Sequence, residues 1–204
     1  MFAYCNNNPV MFTNSAGQSN TCVSTVTSAV SVYVLRASAD LSMTAPGVPR
    51  SDIANAPNLD VTTATDGSYN CYGNALKKQI YTSPTGYQQC YSVRETFEAV
   101  KRDLGSGNVR ELASINDPIG NDEYLVAMRV GSGDYHFIRF DGTGWYNKSG
   151  HEFGVYIDAD RVTADYWYVV TVGYDGIEHP DDPYITVYGG EIIYFAVKED
   201  WYLQ

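Results

Sequence analysis

An α+β fold, with N-terminal helices packed on an antiparallel β-sheet, is what the sequence predicts on three observations. One segment carries the marks of a capped, amphipathic helix. A later stretch alternates apolar and polar residues, with Gly-rich turns between the runs. The composition agrees: Tyr (18) and Gly (18) join many Ser, Thr and Asn, and charged residues are only 18%, below the roughly 25% of average soluble domains. At 204 residues with 44% hydrophobic, the chain suits one domain with a buried core and is not disordered over most of its length.

Residues 1–65 read as an N-terminal extension, weakly structured or a small subdomain. Ser, Thr, Asn and Ala dominate it, and Pro9, Pro46, Pro49 and Pro57 interrupt it among few charges. Within it, Cys22 to Leu35 is β-branched enough for a strand or short helix, and Thr44 to Thr65 shows no period. The signals sharpen over residues 66–204. Ser68 and Asn70 can cap a helix through Tyr72, Ala75, Leu76 and Ile80, at steps of three and four. Ser92 and Glu95 form a capping box for a second helix, with Val93, Phe97, Val100 and Leu104 as one apolar stripe and Gly105 as its stop. Glu95 near its start and Lys101 and Arg102 in its last turn suit the helix dipole. From Glu123 the period falls to two: Tyr124 to Val130, Tyr135 to Phe140 and Trp145 to Lys148 form a meander, followed by β-rich runs at Val155 to Ile157, Tyr166 to Val172, Tyr184 to Val187 and Glu191 to Val197.

The net charge of -11 repels phosphate backbones and anionic lipid surfaces, so no nucleic-acid partner is expected. No membrane span is expected either, since the longest candidate, Val23 to Leu35, is broken by Ser24, Thr25, Thr27, Ser28 and Ser31. The first residues lack the basic region of a signal peptide, implying that any export signal was removed or never existed. Low Lys, abundant Tyr, Asn and Ser, and acidity point to an extracellular or cell-surface location, where Cys5 and Cys22 could form a local disulfide. No HExxH, EF-hand or paired CxxC spacing is present, so neither a metal nor a cofactor is expected.

A thiol at a helix N-terminus gains nucleophilicity from the partial positive charge there, and Cys71 occupies such a position. His136, one of three histidines, lies early on a strand of the meander, where a base can face a helix-borne thiol. If Asp141-Gly142-Thr143-Gly144 closes its hairpin symmetrically, Phe140 opposes Trp145 and Ile138 opposes Asn147, which puts Asn147 one diagonal step from His136 on the same face. Asp141 and His151 compete with Asn147 for the orienting role, because a slip of one residue would turn Asn147 away.

A Cys at the start of a helix, a His on a sheet strand and a polar orienter on the next strand resemble the papain-like cysteine peptidases and their bacterial cell-wall amidohydrolase branch. The strings Asn70-Cys71-Tyr72-Gly73-Asn74-Ala75, Asp134-Tyr135-His136-Phe137-Ile138-Arg139-Phe140-Asp141 and Trp145-Tyr146-Asn147-Lys148-Ser149-Gly150 also resemble bacterial proteins with Asn-Cys-Tyr and Tyr-His-Phe motifs. The likeness covers roughly residues 66–200, by element order. It implies a papain-like catalytic domain over 66–204 and a cysteine hydrolase cleaving a peptide or a peptidoglycan-like cell-wall amide through a thioester. Cys71 would be the nucleophile, His136 the base and Asn147 the orienter. No Gln lies between Asp60 and Asn70, so Asn70 or backbone N–H groups would donate to the oxyanion.

Plainer readings stand beside these. Cys71 could bridge to Cys90 or be a buried thiol, and His136, between Tyr135 and Phe137, could be a core histidine with its hydrogen bond satisfied. His179, before Pro180-Asp181-Asp182, reads as a solvated acidic turn more readily than a cation site. Gly131-Ser132-Gly133 and Gly142-Thr143-Gly144 are hairpin turns, not phosphate loops, as neither leads into a helix. Trp145, Trp167, Trp201 and the run Tyr166-Trp167-Tyr168 support a second function: a non-enzymatic secreted module that recognises glycan or peptide through Tyr and Trp on a sheet face.

Overall fold

The computed structural model describes residues 11–13, 19–21, 48–88, 91–131, 133–150, 154–171 and 184–203. The chain divides into two compact units, Met1–Ser42 and Met43–Gln204. The first holds an antiparallel pair, β1 (Met11–Thr13) with β2 (Ser19–Thr21). The run from Cys22 to Leu35 lies outside the described residues.

The second unit is a mixed α+β body with more strand than helix. It begins with a short helix, α1 (Ser51–Ala54), then α2 (Cys71–Ala75) and α3 (Val93–Leu104). The sheet follows: β3 (Val109–Leu112), β4 (Glu123–Gly131), β5 (Asp134–Phe140), β6 (Trp145–Asn147) and β7 (Val155–Ile157). After α4 (Ala159–Thr163) come β8 (Tyr166–Thr171), β9 (Tyr184–Gly189) and β10 (Ile193–Lys198). The main sheet has the order β3-β10-β4-β5-β6-β7, every neighbour antiparallel, while β8 and β9 pair as a separate ribbon.

Alternation along the strands builds two cores, one on each sheet face. Val126 and Met128 of β4, Phe137 of β5 and Phe195 of β10 meet Phe97, Val100 and Leu104 of α3, with Cys71 and Tyr72 of α2 in the same cluster. The intervening residues, among them Ala127, Ile138 and Trp145, pack against Val162 of α4, Trp167 of β8 and Tyr188 of β9. Because both faces are covered, β4 is buried from Tyr124 through Arg129 instead of alternating in exposure. The capping box of α3 forms as expected: the Ser92 backbone N–H donates to Glu95 Oε2 at 2.8 Å, and the Glu95 N–H donates to Ser92 Oγ at 3.2 Å.

The helix expected through Ile80 ends at Ala75. Lys77 takes a left-handed φ of 55°, and the chain turns back so that Lys78 bridges to Asn58. Gly73 permits the return, since a Cβ there would stand 2.1 Å from the Ile80 carbonyl oxygen.

Residues 48–65, read from the sequence as part of the N-terminal extension, belong to the second unit. Ile53 is wholly buried in the first core. The buried Lys78 ammonium donates to Ala54 O at 3.0 Å, Ala56 O at 3.1 Å and Asn58 Oδ1 at 2.9 Å. Deleting residues 1–42 is therefore expected to leave the thermal transition of the second unit in place. Deleting 1–60 removes those three acceptors and about 2 kcal/mol of Ile53 burial, and is expected to abolish cooperative unfolding near the full-length midpoint. Equal melting curves for the two truncations would refute this assignment.

Candidate active site

Cys71 is the first residue of α2, and Asn70 is the cap that fixes it there. The Asn70 side chain accepts from Gly73 N–H at 3.0 Å through Oδ1 and donates from Nδ2 to Thr82 O at 2.7 Å. With both ends of its amide engaged, Asn70 holds the turn and is not turned towards a substrate, which leaves backbone N–H groups as the alternative oxyanion donors named from the sequence. Cys71 carries a free, buried thiol, 6% exposed. The backbone N–H groups of Phe137 and Tyr72 point at it. Burial pushes its pKa up to about 12, aided by the Asp134 carboxylate and opposed by those two N–H groups and by Lys148. The five-residue α2 does not lower it as the position in a helix led one to expect, because desolvation outweighs so short a dipole.

His136 and Asn147 meet as the hairpin register requires. Ile138 pairs with Asn147 and Phe140 with Trp145, and His136 Nε2 lies 2.6 Å from Asn147 Oδ1. An amide oxygen only accepts, so Nε2 carries the proton and Nδ1 is left as the basic nitrogen. The imidazole is 3% exposed. Tyr188 of β9 stacks on it with ring centroids 5.3 Å apart at 30°, and Trp167 of β8 meets it edge-on at 6.1 Å. The Tyr188 hydroxyl donates to Asp134 Oδ2 at 3.0 Å, fastening the ribbon across the start of β5. Gly131 lets the ribbon come this close, since a Cβ there would fall 2.5 Å from Val187 O.

The thiol thus lies against the β5 backbone one residue past the imidazole, while His136 projects to the opposite sheet face beside its cross-strand partner Arg129. No hydrogen bond joins Cys71 to His136 among the described residues. Arg129, 3% exposed, donates to Ala164 O at 2.5 Å and Tyr188 O at 3.4 Å and stacks over Trp167 at 5.1 Å.

Burial lowers the His136 pKa below 6.5, against the Asn147 hydrogen bond and the Asp134 charge, which raise it. A histidine whose folded pKa is depressed stabilises the fold fully above the unfolded value of 6.5. That contribution is lost as pH falls from 6.5 towards the folded pKa, because the unfolded chain takes up the proton first. Below pH 6.5 the native protein is expected to lose stability faster than its His136→Gln variant, by up to about 1.4 kcal/mol per pH unit. Parallel urea-denaturation curves from pH 7.5 to 5.5 would count against a buried neutral imidazole.

Asp141, a rival orienter in the sequence, closes the β5–β6 turn instead. Its Oδ1 accepts from Thr143 N–H at 2.9 Å and Gly144 N–H at 3.0 Å, and Tyr156 donates to Oδ2. His151, the other rival, and His179, Cys5, Cys22 and Cys90 lie outside the described residues. Among the described residues no group of three or more His, Cys, Asp or Glu could hold a metal ion, and no helix is long and apolar enough to cross a membrane. Tyr188, Arg129 and Asp134 escaped the sequence reading as site residues, and Trp167, read there as a ring for binding glycan or peptide, is buried against His136 instead. For Arg129 and Tyr188 the available signal was alternation, which puts each on a definite sheet face but names no neighbour across 50 residues of chain. Family models, curated proteins and solved structures yield no match to this chain.

Proposed function

We propose that the chain is a cysteine hydrolase of papain-like architecture that cleaves a peptide or cell-wall amide. The observation that carries this reading is the 2.6 Å contact from His136 Nε2 to Asn147 Oδ1, with the Cys71 thiol at the amide of the next residue, Phe137. The contact fixes the imidazole tautomer with Nδ1 as its basic nitrogen, the tautomer that nucleophilic catalysis by Cys, His and Asn uses. Thiol and imidazole are both neutral at rest, so the reaction starts by general-base catalysis: Cys71 Sγ bonds to the carbonyl carbon as His136 takes the thiol proton. His136 then gives that proton to the departing amine as the C–N bond breaks. Water adds to the thioester, passing a proton to His136, which returns it to Sγ as the C–S bond breaks and the acid leaves. At rest the two groups lie on opposite faces of β5, so the reaction requires the α2–β5 contact to rearrange when substrate binds and bring Sγ to His136 Nδ1.

The test is alkylation of the native protein with iodoacetamide across pH 5 to 9, followed by peptide mapping. Modification of Cys71 in the folded protein, blocked in Cys71→Ala, is the expected result. A Cys71 that stays inert until the protein is denatured would overturn the proposal.

A further inference from the structure

We propose that the groove alongside α4 binds a cationic peptide segment, seating an arginine or lysine side chain against Asp160 and Asp165. Two adjoining hollows form it. One, about 440 Å³, is floored by Leu125, Phe140 and Trp145 and reaches Asp160 and Thr163. The other, about 540 Å³, shares Asp160 and Thr163 and runs on to Asp165, Tyr166 and Tyr168. Both fall within the roughly 300–1,000 Å³ of small-ligand sites.

The chemistry of the lining selects the occupant. Among the described residues Asp160 and Asp165 are the only charged side chains lining it, and neither forms an ion pair there. Tyr166 and Tyr168, two apart on β8, share one face and are 57% and 61% exposed, with ring centroids 6.4 Å apart. A long cationic side chain satisfies both features at once: its head pairs with a carboxylate, while its apolar stem or guanidinium plane lies on the rings. Anionic ligands are repelled by the same carboxylates, and by a chain whose net charge is -11. Trp145 stands two residues from Asn147 on β6, so the groove starts roughly 7 Å along the strand from the site described above. Binding there needs neither Cys71 nor His136, and the inference stands whether or not the hydrolase reading does.

Calorimetric titration of the full-length Cys71→Ala protein tests it, with the blocked peptide Ac-Gly-Arg-Gly-Arg-Gly-NH2 as probe. Saturable binding is expected, weakened at least tenfold in Asp160→Asn/Asp165→Asn. It should be unchanged in Asp122→Asn/Asp200→Asn, which removes the same charge from exposed positions elsewhere. Equal weakening by both pairs would mean attraction to net charge alone and would overturn the proposal, as would the absence of binding. Tight binding of the neutral sugar cellohexaose, undiminished in Asp160→Asn/Asp165→Asn, would overturn it in favour of a glycan site.

Discussion

Alkylation of Cys71 at pH 7 is expected to fall about 100-fold or more when His136 is replaced by alanine. A thiol pushed up to about 12 is ionised to only roughly one part in 10⁵ at neutral pH. Nearly all of its reaction must then pass through a base that takes the proton as the new bond forms. Asn147 Oδ1 holds the proton on Nε2 at 2.6 Å and so leaves His136 Nδ1 basic for that task, once the α2–β5 contact rearranges to bring the thiol to it. The pH profile separates this role from a merely structural one. In the native protein the rate should rise as the imidazole loses its proton below pH 6.5 and then level off. In the variant it should climb only in alkali, tracking the thiol itself. His136→Gln, which keeps more of the side-chain volume, should behave as His136→Ala does. A rate within threefold of native in both variants would remove His136 from the mechanism.

Asp103→Ala is expected to cost about 3–5 kcal/mol of stability, the loss that follows when one member of a buried charge pair is removed. Asp103 is 1% exposed near the end of α3. Its Oδ2 accepts from the Tyr72 hydroxyl at 2.7 Å and from Thr85 N–H at 3.0 Å, and its Oδ1 lies 3.5 Å from Arg50 Nη1. One carboxylate thereby ties together α2, α3, the 82–85 loop and the segment leading into α1. Its removal strands a buried phenol and a backbone N–H at once and takes a carboxylate from the Arg50 guanidinium, which keeps Asp52 and Thr82 as partners. At roughly 2–4 °C per kcal/mol for a unit of this size, the melting temperature should drop by about 10 °C. A drop under 2 °C would mean that water replaces the carboxylate without loss.

What could be read from the sequence was local or followed from a short turn. The Ser92–Glu95 capping box and the stop at Gly105 depend on residues within one helix, and the helix appears with those bounds. The pairing of Ile138 with Asn147 follows from closing a four-residue loop, and with it came the contact between His136 and Asn147. Contacts spanning the chain were not legible. The end of α2 is set by Lys78 reaching back to Asn58, and the 71–80 pattern shows no sign of that partner. Helix α4 has five residues and buries only Val162, too little for a period to show, while β3 hides its pairing behind Arg110 and Glu111. The protonated state of Cys71 was misread for a related reason. Position in a helix is local, but the burial that dominates it comes from the whole core against which α2 packs.

The cover over this site has a consequence for durability. Oxidants meet cysteine as thiolate, and the path from sulfenic to sulfinic and sulfonic acid starts with an exposed, deprotonated sulfur. Cys71 is neither exposed nor deprotonated at rest, and the β8–β9 ribbon, held by Tyr188 on Asp134, closes over the neighbouring imidazole. The molecule therefore keeps its one described thiol chemically young, outlasting a surface cysteine in the same peroxide, because the sulfur is uncovered only for as long as α2 parts from the sheet face that buries it.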